Sequence, residues 1–567
     1  MSDFSFEHTN LTQEQVKTAV NAFAPAAPAA SPRFADKAFY FALDGGESLR
    51  CEFNKDGSNI TVRGLGASNG KVPYAALELG SVFLIAYQVP GALTSHIAVC
   101  DTESRLATVY ETWLCGEGVP AREVCREVHH GYITGREVPN HRPSPTKRLV
   151  GKAVRWNGDL GSSLSIYATF MASSFVPDGS NQTFTAPTDY FEFDYHTYLY
   201  SRCEVEFSGE LVLEVFDLHT MKLIGVRLGI TKNDNFEFRP YTASGKLLGQ
   251  FAAYGPFGLE YDQPPRFSRR PSGGENAAPP PMPKGARIAY RPFQMVHKMT
   301  LEEVRDLAAR TGAWKGAFAG TGKEKRCMPT SEIMLGHKVF NLNFDGKVFS
   351  YRITGKFETQ FKLAPGDDWR TERCEAFEAD EGLAFFTHAF DGQKPTEVYQ
   401  YAIDFKTGLA TCLISRLNNE KYPREPTQEW LFGYIDSNEK GFKAPAERHS
   451  FTDELVGRSF TWTYTDDMCS QHIYSTGESY SWSILMNGIP GMMWSSPCKY
   501  VKIRDDVYMM SWIEHRSAGT QGLYLFNLKT MHDCGTCFGI THDQIFEYNT
   551  FGAEARSAGS IQMDAKL

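Results

Sequence analysis

The segment Val456–Tyr548 alternates apolar and polar residues with a period of two, which is typical of half-buried β-strands. In its first strand Phe460, Trp462 and Tyr464 share one face, and serine and threonine residues occupy the other. Two later strands add further residues in the same pattern, namely Tyr480, Trp482, Ile484 and Met486, then Tyr508, Met510, Trp512 and Glu514. An apolar, aromatic face with a single acid predicts a small β-barrel that holds a ligand.

Copies of this segment recur along the chain. LVGKAVRW, which contains Gly151, matches LVGRSFTW, which contains Gly457. FDLHTMK at 216–222 matches FNLKTMH at 526–532, and the following LGIT and FGIT come at the same spacing. Two further segments are weaker copies of each other. The repeats predict four β units arranged as two similar halves.

The predicted fold is all-β, with four calycin- or lipocalin-like antiparallel β-barrel units, because units of about 100 residues avoid exposed strand edges by closing. Capping boxes at Thr12/Gln15 and Thr300/Glu303 predict a short helix before each half. The predicted divisions are an N-terminal helix and linker at 1–33, unit 1 at 34–147, unit 2 at 148–261, a proline-rich linker at 262–292, a helix with unit 3 at 293–453, and unit 4 at 454–567.

The composition limits the classes of partner. A net charge of −9 and a pI near 6.0 offer no basic patch for nucleic acid or anionic membranes. The polar N-terminus has no signal-peptide core and no apolar run reaches transmembrane length, so we expect a cytoplasmic protein. The expected partner is a small molecule, with neither nucleic acid nor membrane, and the duplication is compatible with a homodimer.

Residues 454–548 resemble the calycin-type barrel of bacterial phenolic acid decarboxylases and, more closely, the C-terminal domain of the MoaF family. The shared motifs are VGxxFxWTY at the start, NGIPGMMW at 487–494 and VYMMSWIE at 507–514. MoaF-type proteins are similar to one half of this chain, with two lipocalin-like domains. The resemblance therefore implies a tandem of two MoaF-like halves.

The decarboxylase resemblance also implies site residues. In that family two tyrosines on the first strand hold the substrate carboxylate, a glutamate serves in acid–base chemistry and an arginine assists. These positions fall at Trp462 and Tyr464, at Glu514, and at Ile484. Since one tyrosine and the arginine are replaced, the resemblance implies the barrel and leaves little to bind a carboxylate.

Glu514 is the leading catalytic candidate, because an acid on an aromatic face should have a raised pKa that suits proton transfer. The hydroxyl of Tyr464 is a candidate donor or general acid. Predicted substrate contacts are Trp462, Tyr480, Trp482, Tyr508, Met510 and Trp512. The alternatives are a solvated or arginine-paired Glu514 at the barrel mouth and a core that the aromatic residues fill.

Unit 2 carries a second candidate set. The repeat places Glu204 in register with Glu514, and Arg202 shares its face with Tyr198 and Tyr200. The arginine–glutamate pair predicts either a clamp for an anionic or phenolic ligand or an internal salt bridge that closes the barrel.

Metal and cofactor signals are weak. Cys534 and Cys537 point to opposite faces of a strand, as do His129 and His130, so neither pair shares a ligand position. No phosphate-binding loop or nucleophile elbow is present. We expect no cofactor and no metal. The function hypotheses are a cofactor-independent lyase, isomerase or cyclase for an aromatic or unsaturated small molecule, a non-catalytic carrier or sensor, and a tandem-barrel scaffold.

Overall fold

A computed structural model describes most of the chain, and the predicted linker lies outside it except at 287–289. The described residues are 7–9, 11–23, 32–89, 91–117, 120–204, 209–252, 287–289, 299–311, 326, 328–390, 396–437, 442–466, 468–486, 493–514, 519–541 and 544–563. Within them the chain is almost entirely β-strand, as the period-two pattern predicts. No helix in these residues is long and apolar enough to span a membrane.

Both predicted helices are present. After a short strand β1 (Glu7–Thr9), helix α1 (Gln13–Ala22) begins with the predicted capping box, in which the Gln15 N–H donates to Thr12 Oγ1 and the Thr12 N–H donates to the Gln15 side chain. Helix α2 (Leu301–Thr311) begins with the same box. Buried residues of each helix pack between the two β units of its own half, which anchors the two units together.

Unit 1 contains nine antiparallel strands in one sheet. They are β2 (Ala38–Leu43), β3 (Ser48–Phe53), β4 (Ile60–Gly64), β5 (Ala67–Val72), β6 (Ala75–Leu79), β7 (Val82–Gln88), β8 (Thr94–Asp101), β9 (Leu106–Trp113) and β10 (Cys125–Ile133). Their order in the sheet is β5-β4-β3-β2-β10-β9-β8-β7-β6. The described residues show no ladder between β5 and β6, so hydrogen bonds leave this sheet open at one seam.

Unit 2 is a closed barrel. Its strands are β11 (Ser144–Pro145), β12 (Lys152–Gly158), β13 (Gly161–Ile166), β14 (Ala172–Pro177), β15 (Phe184–Glu192), β16 (Thr197–Cys203), β17 (Leu211–Asp217), β18 (Lys222–Ile230) and β19 (Phe236–Gln250). The path β15-β14-β13-β12-β19-β18-β17-β16 closes because β15 also pairs with β16.

Unit 3 is the second closed barrel. A short strand from the predicted linker, β20 (Arg287–Ala289), pairs with β1 before the unit begins. The barrel strands are β21 (Val339–Phe344), β22 (Lys347–Gly355), β23 (Glu358–Lys362), β24 (Arg370–Asp380), β25 (Leu383–Phe390), β26 (Glu397–Asp404), β27 (Leu409–Arg416) and β28 (Thr427–Asp436). β28 returns to pair with β21.

Unit 4 closes in the same way as unit 2. Its strands are β29 (Ser450–Phe451), β30 (Arg458–Thr465), β31 (Met468–Ile473), β32 (Ser479–Met486), β33 (Met493–Arg504), β34 (Val507–Ile513), β35 (Gln521–Asn527), β36 (His532–Ile540), β37 (Phe546–Phe551) and β38 (Glu554–Ser560). Pairing of β33 with β34 closes the path β33-β32-β31-β30-β38-β36-β35-β34, and β37 adds to β36. The fold class of four antiparallel β units in two halves is confirmed.

Units 2 and 4 meet through equivalent residues. The Ala252 N–H donates to the Ala558 carbonyl at 2.8 Å, and the Gln562 N–H donates to the Leu248 carbonyl at 2.9 Å. Because Leu248 and Ala558 occupy equivalent positions, as do Ala252 and Gln562, the two bonds are reciprocal. This is the pattern of a two-fold dimer interface. The duplicated halves therefore pair within one chain as two subunits would.

Candidate active site in the fourth unit

The aromatic face predicted for unit 4 lies inside the barrel. Trp462 and Met510 are fully buried, and Tyr480, Tyr508 and Trp512 are nearly so. The rings of Trp512 and Tyr480 have centroids 6.2 Å apart at an edge-to-face angle. Strand alternation brings these residues together, since their outward neighbours, such as Met509, pack against unit 3.

Two of the predicted contacts have polar partners. The Tyr508 hydroxyl donates to Glu454 Oε2 at 2.8 Å, and burial followed by the charge of Glu454 raises the Tyr508 pKa to about 12. The half-buried Trp482 stacks on Trp494 at 4.9 Å and donates from Nε1 to Ser496 Oγ at 3.3 Å.

Tyr464 lies level with a carboxyl group that the sequence reasoning missed. Thr463 pairs with Glu554 of the adjacent strand β38, which places Tyr464 level with Ala553. The Ala553 N–H donates to Oδ1 of Asp533, on strand β36, at 2.6 Å. Tyr464 and Asp533 are therefore neighbours inside the barrel.

Asp533 is a fully buried acid with an unsatisfied oxygen. Its Oδ2 has no hydrogen-bond partner among the described residues. Burial raises the Asp533 pKa well above its usual value, and the Ala553 N–H offsets this only in part. Burial without a cation nearby therefore favours the neutral form of this carboxyl group. The repeat alignment contains the signal, because it sets Asp533 against the buried Leu223 of unit 2.

The pKa of Tyr464 depends in part on Asp533. Burial raises the Tyr464 pKa well above its ordinary value, and the charge that Asp533 would carry is the next cause. Burial also raises the Tyr480 pKa, followed by the charge of Glu514 and then by Tyr464. The charges of Asp533 and Glu514 thus act on Tyr464 and Tyr480 within the same barrel.

Glu514 is the fourth member of this group. It is half-buried and follows strand β34, where its N–H donates to the Thr520 carbonyl at 2.8 Å. The half-buried Ile484 stands where the decarboxylase resemblance would place an arginine. The motif segment 487–492 lies outside the described residues.

His472 is a second interior group that the sequence reasoning missed. Its Nδ1 is 3.1 Å from the Tyr524 hydroxyl and its Nε2 is 3.0 Å from Ser470 Oγ. Burial lowers the His472 pKa to about 3, so the ring is neutral. The alternation in SQHIY carries the signal, since it places His472 on the same face as Tyr474.

The unit 2 candidates pair with one another. Arg202 contacts Glu204 at 3.1 Å and lies 3.8 Å from Glu214, while Arg227 contacts Glu204 at 2.5 Å. The Tyr241 hydroxyl donates to Glu214 at 2.6 Å. Of the two interpretations of the Arg202–Glu204 pair, this geometry favours the internal salt bridge.

The tyrosines beside this network are also engaged. The Tyr200 hydroxyl is 2.7 Å from Ser173 Oγ, and burial raises the Tyr200 pKa. Tyr198 donates to the Tyr195 carbonyl at 3.5 Å. The Arg202 guanidinium lies 4.4 Å from the centroid of the Phe175 ring. These contacts engage the predicted unit 2 side chains with other residues of the protein.

The structure places no metal-binding cluster in the described residues. Cys534 packs against unit 3, whereas Cys537 packs against the interior of unit 4, as strand alternation predicts. His129 lies 3.2 Å from Glu47, and His130 lies 3.0 Å from the Thr108 hydroxyl. Neither pair converges on a common point.

The barrel that contains Asp533 and Glu514 matches a known family. The model of the MoaF C-terminal domain matches residues 449–561. The fourth unit is thus similar to the MoaF C-terminal domain. Protein MoaF of Klebsiella aerogenes is 29% identical to this chain over 109 residues, which are 19% of this chain and 39% of that protein.

The match to Protein MoaF spans well under two thirds of that protein, and the tandem of two halves extends beyond it. A crystal structure titled as a beta-lactamase of Burkholderia vietnamiensis overlaps 18% of this chain and 95% of its own, with 12% identity and a TM-score of 0.16, too low to support an argument. The resemblance to phenolic acid decarboxylases stays a prediction.

Proposed function

We propose that the fourth unit of this chain is a cofactor-independent enzyme that acts in the cytoplasm on an aromatic or unsaturated small molecule. The chemistry would be acid–base catalysis of the lyase, isomerase or cyclase type, inside the barrel. The observation that carries the proposal is the fully buried Asp533 carboxyl group, whose Oδ2 has no partner among the described residues and which has Tyr464 beside it in the barrel. Groups with separated proton affinities in an apolar interior suit proton transfer.

Each member of this group has a role that its surroundings support. Glu514, just after strand β34 and only half-buried, accepts a proton from the substrate. Tyr464 and the neutral Asp533 donate hydrogen bonds where negative charge develops on the substrate. The rings of Trp462, Tyr480 and Trp512 exclude water and hold a flat, apolar substrate. The Glu514 carboxyl group then returns its proton, so each turnover is proton-neutral.

A metabolite extract provides a test that needs no prior substrate. The full chain is incubated with the extract, and compounds that disappear or form are measured by untargeted mass spectrometry. We expect a small set of conversions that fall by about 100-fold or more in Glu514→Gln and in Tyr464→Phe, because general acid–base catalysis contributes that much. Asp505→Asn, an exposed acid in the same unit, is the matched control.

An extract that the wild-type chain leaves unchanged would refute the enzyme. Conversion that Glu514→Gln leaves intact would remove Glu514 from the mechanism. Retained ligands without conversion would instead support the second candidate, a carrier or sensor, for which the aromatic face around Trp462 would hold the ligand. For unit 2 a scaffold role fits better, because Glu204 lies between two arginines.

A further inference from the structure

The interior of unit 4 contains a buried carboxyl oxygen, Oδ2 of Asp533, without a hydrogen-bond partner among the described residues. The indole N–H of Trp462 and the hydroxyl of Tyr500 lie in the same interior, where they act on Tyr474 and Cys498. All three side chains are at most 1% exposed. Burying a polar group without a partner costs roughly 1–3 kcal/mol, so the Asp533 oxygen indicates a site that a ligand would complete.

The three atoms gather around Tyr474. The Tyr474 ring lies 5.5 Å from the ring of Tyr500. Burial raises the Tyr474 pKa, the Tyr524 hydroxyl and the Trp462 indole N–H lower it, and the charge of Asp533 raises it. One region of the interior thus faces Asp533, Trp462 and Tyr500 together.

All three groups are able to donate. The indole N–H is a donor only, a tyrosine hydroxyl donates as well as accepts, and a neutral carboxyl group at Asp533 carries its proton on an oxygen. His472 is neutral and its two nitrogens contact Tyr524 and Ser470. The complementary ligand must therefore supply acceptor oxygen.

The charge of the interior excludes an anionic ligand. Among the described residues of 449–561, no lysine or arginine is buried. Arg458 is half-buried and lies over the Phe460 ring at 5.1 Å. In unit 2 the positions equivalent to Cys537 and Trp512 hold Arg227 and Arg202, so unit 4 lacks both of these cations. A buried carboxylate ligand would lack a counter-charge.

We propose that the substrate of unit 4 is a neutral aromatic or α,β-unsaturated carbonyl compound whose oxygen accepts hydrogen bonds from Asp533 and from Trp462 or Tyr500. This inference rests on the proposed function and names its substrate class. A neutral acid that donates to a carbonyl oxygen stabilises the enolate-like charge that forms when a base removes a neighbouring proton. Carboxylic acids such as hydroxycinnamates are poor ligands for this site.

Two probe molecules of similar shape distinguish a neutral carbonyl ligand from a carboxylate ligand. 4-Phenyl-3-buten-2-one is a neutral ketone, and trans-cinnamate has the same styrene body with a carboxylate. Binding of each to the full chain is measured by isothermal titration calorimetry at pH 7. We expect the ketone to bind at least tenfold more tightly than cinnamate, the difference of a hydrogen bond to a buried group.

Substitutions at Asp533 test whether this residue donates the hydrogen bond to the ketone oxygen. Asp533→Asn presents an N–H in place of the carboxyl O–H, so we expect ketone affinity within about threefold of wild type. Asp533→Leu installs the residue that unit 2 has at Leu223 and should lower the affinity at least tenfold. A melting curve verifies that each variant is folded, and Asp505→Asn should bind as wild type does.

Cinnamate binding as tight as ketone binding, an unchanged affinity in Asp533→Leu, or no ketone binding would overturn the inference. These outcomes are distinct from failure of the enzyme proposal. If the extract experiment shows conversion of carboxylic acids, the proposed enzyme activity is retained and the proposed preference for neutral carbonyl compounds is wrong. If the ketone binds but the extract is unchanged, the preference is retained and the site is that of a carrier.

Discussion

Units 2 and 4 close their barrels along the same strand path, yet they bury their polar groups in different ways. In unit 2, Arg202 and Arg227 alternate with Glu204 and Glu214, so each charge faces an opposite one. A buried ion network of this kind occupies the space that a ligand would need. It is strongly destabilising to break, because any remaining charge is then uncompensated.

Unit 4 replaces most of that network. The residues equivalent to Arg202, Glu204, Glu214 and Arg227 are Trp512, Glu514, Tyr524 and Cys537, and Asp533 stands in place of Leu223. The interior keeps acids and hydroxyl donors but has no buried cation in its described residues. The difference teaches that one duplicated barrel pairs its buried acids with buried arginines, while the other buries an acid, Asp533, with no buried cation among its described residues.

The largest expected effect is the loss of stability when the ion network of unit 2 is broken. Arg202→Leu leaves Glu214 without its cation and Glu204 with only Arg227. We expect the free energy of unfolding to fall by about 3–5 kcal/mol, measured by urea denaturation with circular dichroism. Arg148→Leu, which removes an exposed arginine paired with Glu192 in the same unit, should cost under about 1 kcal/mol. Equal losses in the two variants would contradict the comparison.

The second effect concerns acid stability of unit 4. Burial lowers the folded-state pKa of His472 to about 3, whereas the unfolded side chain titrates near 6.5. As the pH falls below 6.5 the unfolded state binds the proton first, so stability is lost between pH 6.5 and about 3. The groups that face the ring are Tyr524, Ser470, Trp462 and Tyr480.

His472→Gln removes this proton uptake. Between pH 7 and pH 4 the wild type should lose roughly 3 kcal/mol more unfolding free energy than the variant. Urea denaturation at the two pH values measures the difference, and His532→Gln, a more exposed histidine, should behave as wild type does. Parallel losses in wild type and His472→Gln would show that the ring titrates normally.

The fold followed closely from the sequence because repeats and alternation are local signals. The matches around Gly151 and Gly457 predicted the two halves, and both capping boxes formed. The seam between β5 and β6 in unit 1 was not predictable, since ring closure depends on pairing between strands and not on the pattern within either. The strand at 287–289 was not predicted, because the proline-rich composition of the surrounding linker indicates a segment without regular structure.

The candidate site could be predicted only in part from the sequence. Alternation placed Trp462, Tyr464 and Trp512 on one interior face, which the structure shows. Asp533 was overlooked because a single acid next to a turn is usually exposed to solvent. Its burial becomes visible only when the repeats are aligned, since the equivalent residue of unit 2 is the buried Leu223. The pairing of Glu204 with Arg227 could not be predicted, because that contact joins two strands whose spacing depends on the closed barrel.

The smallest expected effect is at the interface between units 2 and 4. Ser174 Oγ and Ser481 Oγ, which are equivalent residues of the two halves, lie 2.7 Å apart in a buried position. Ser481→Ala should lower the unfolding free energy by about 1 kcal/mol, and adding Ser174→Ala should cost less than the sum of the single changes. A double-mutant cycle by urea denaturation measures the coupling, and strict additivity would argue against the reciprocal contact.

The account depends most on Asp533 being held neutral and unsatisfied in the interior of unit 4. Its folded-state pKa lies well above the ordinary value near 3.8, with Tyr464, Tyr474 and Ala553 facing it. Above pH 4 the unfolded state releases the proton while the folded state retains it, so Asp533 lowers stability as the pH rises. Asp533→Asn has no proton to release.

The decisive measurement is the difference in unfolding free energy between Asp533→Asn and wild type at pH 4 and at pH 7. The account predicts a difference that shifts in favour of the variant by at least about 1.4 kcal/mol, which corresponds to one pKa unit. Asp505→Asn, which alters an exposed acid, should show no such shift. A difference that is the same at both pH values would mean that Asp533 titrates normally, and it would contradict the proposed site.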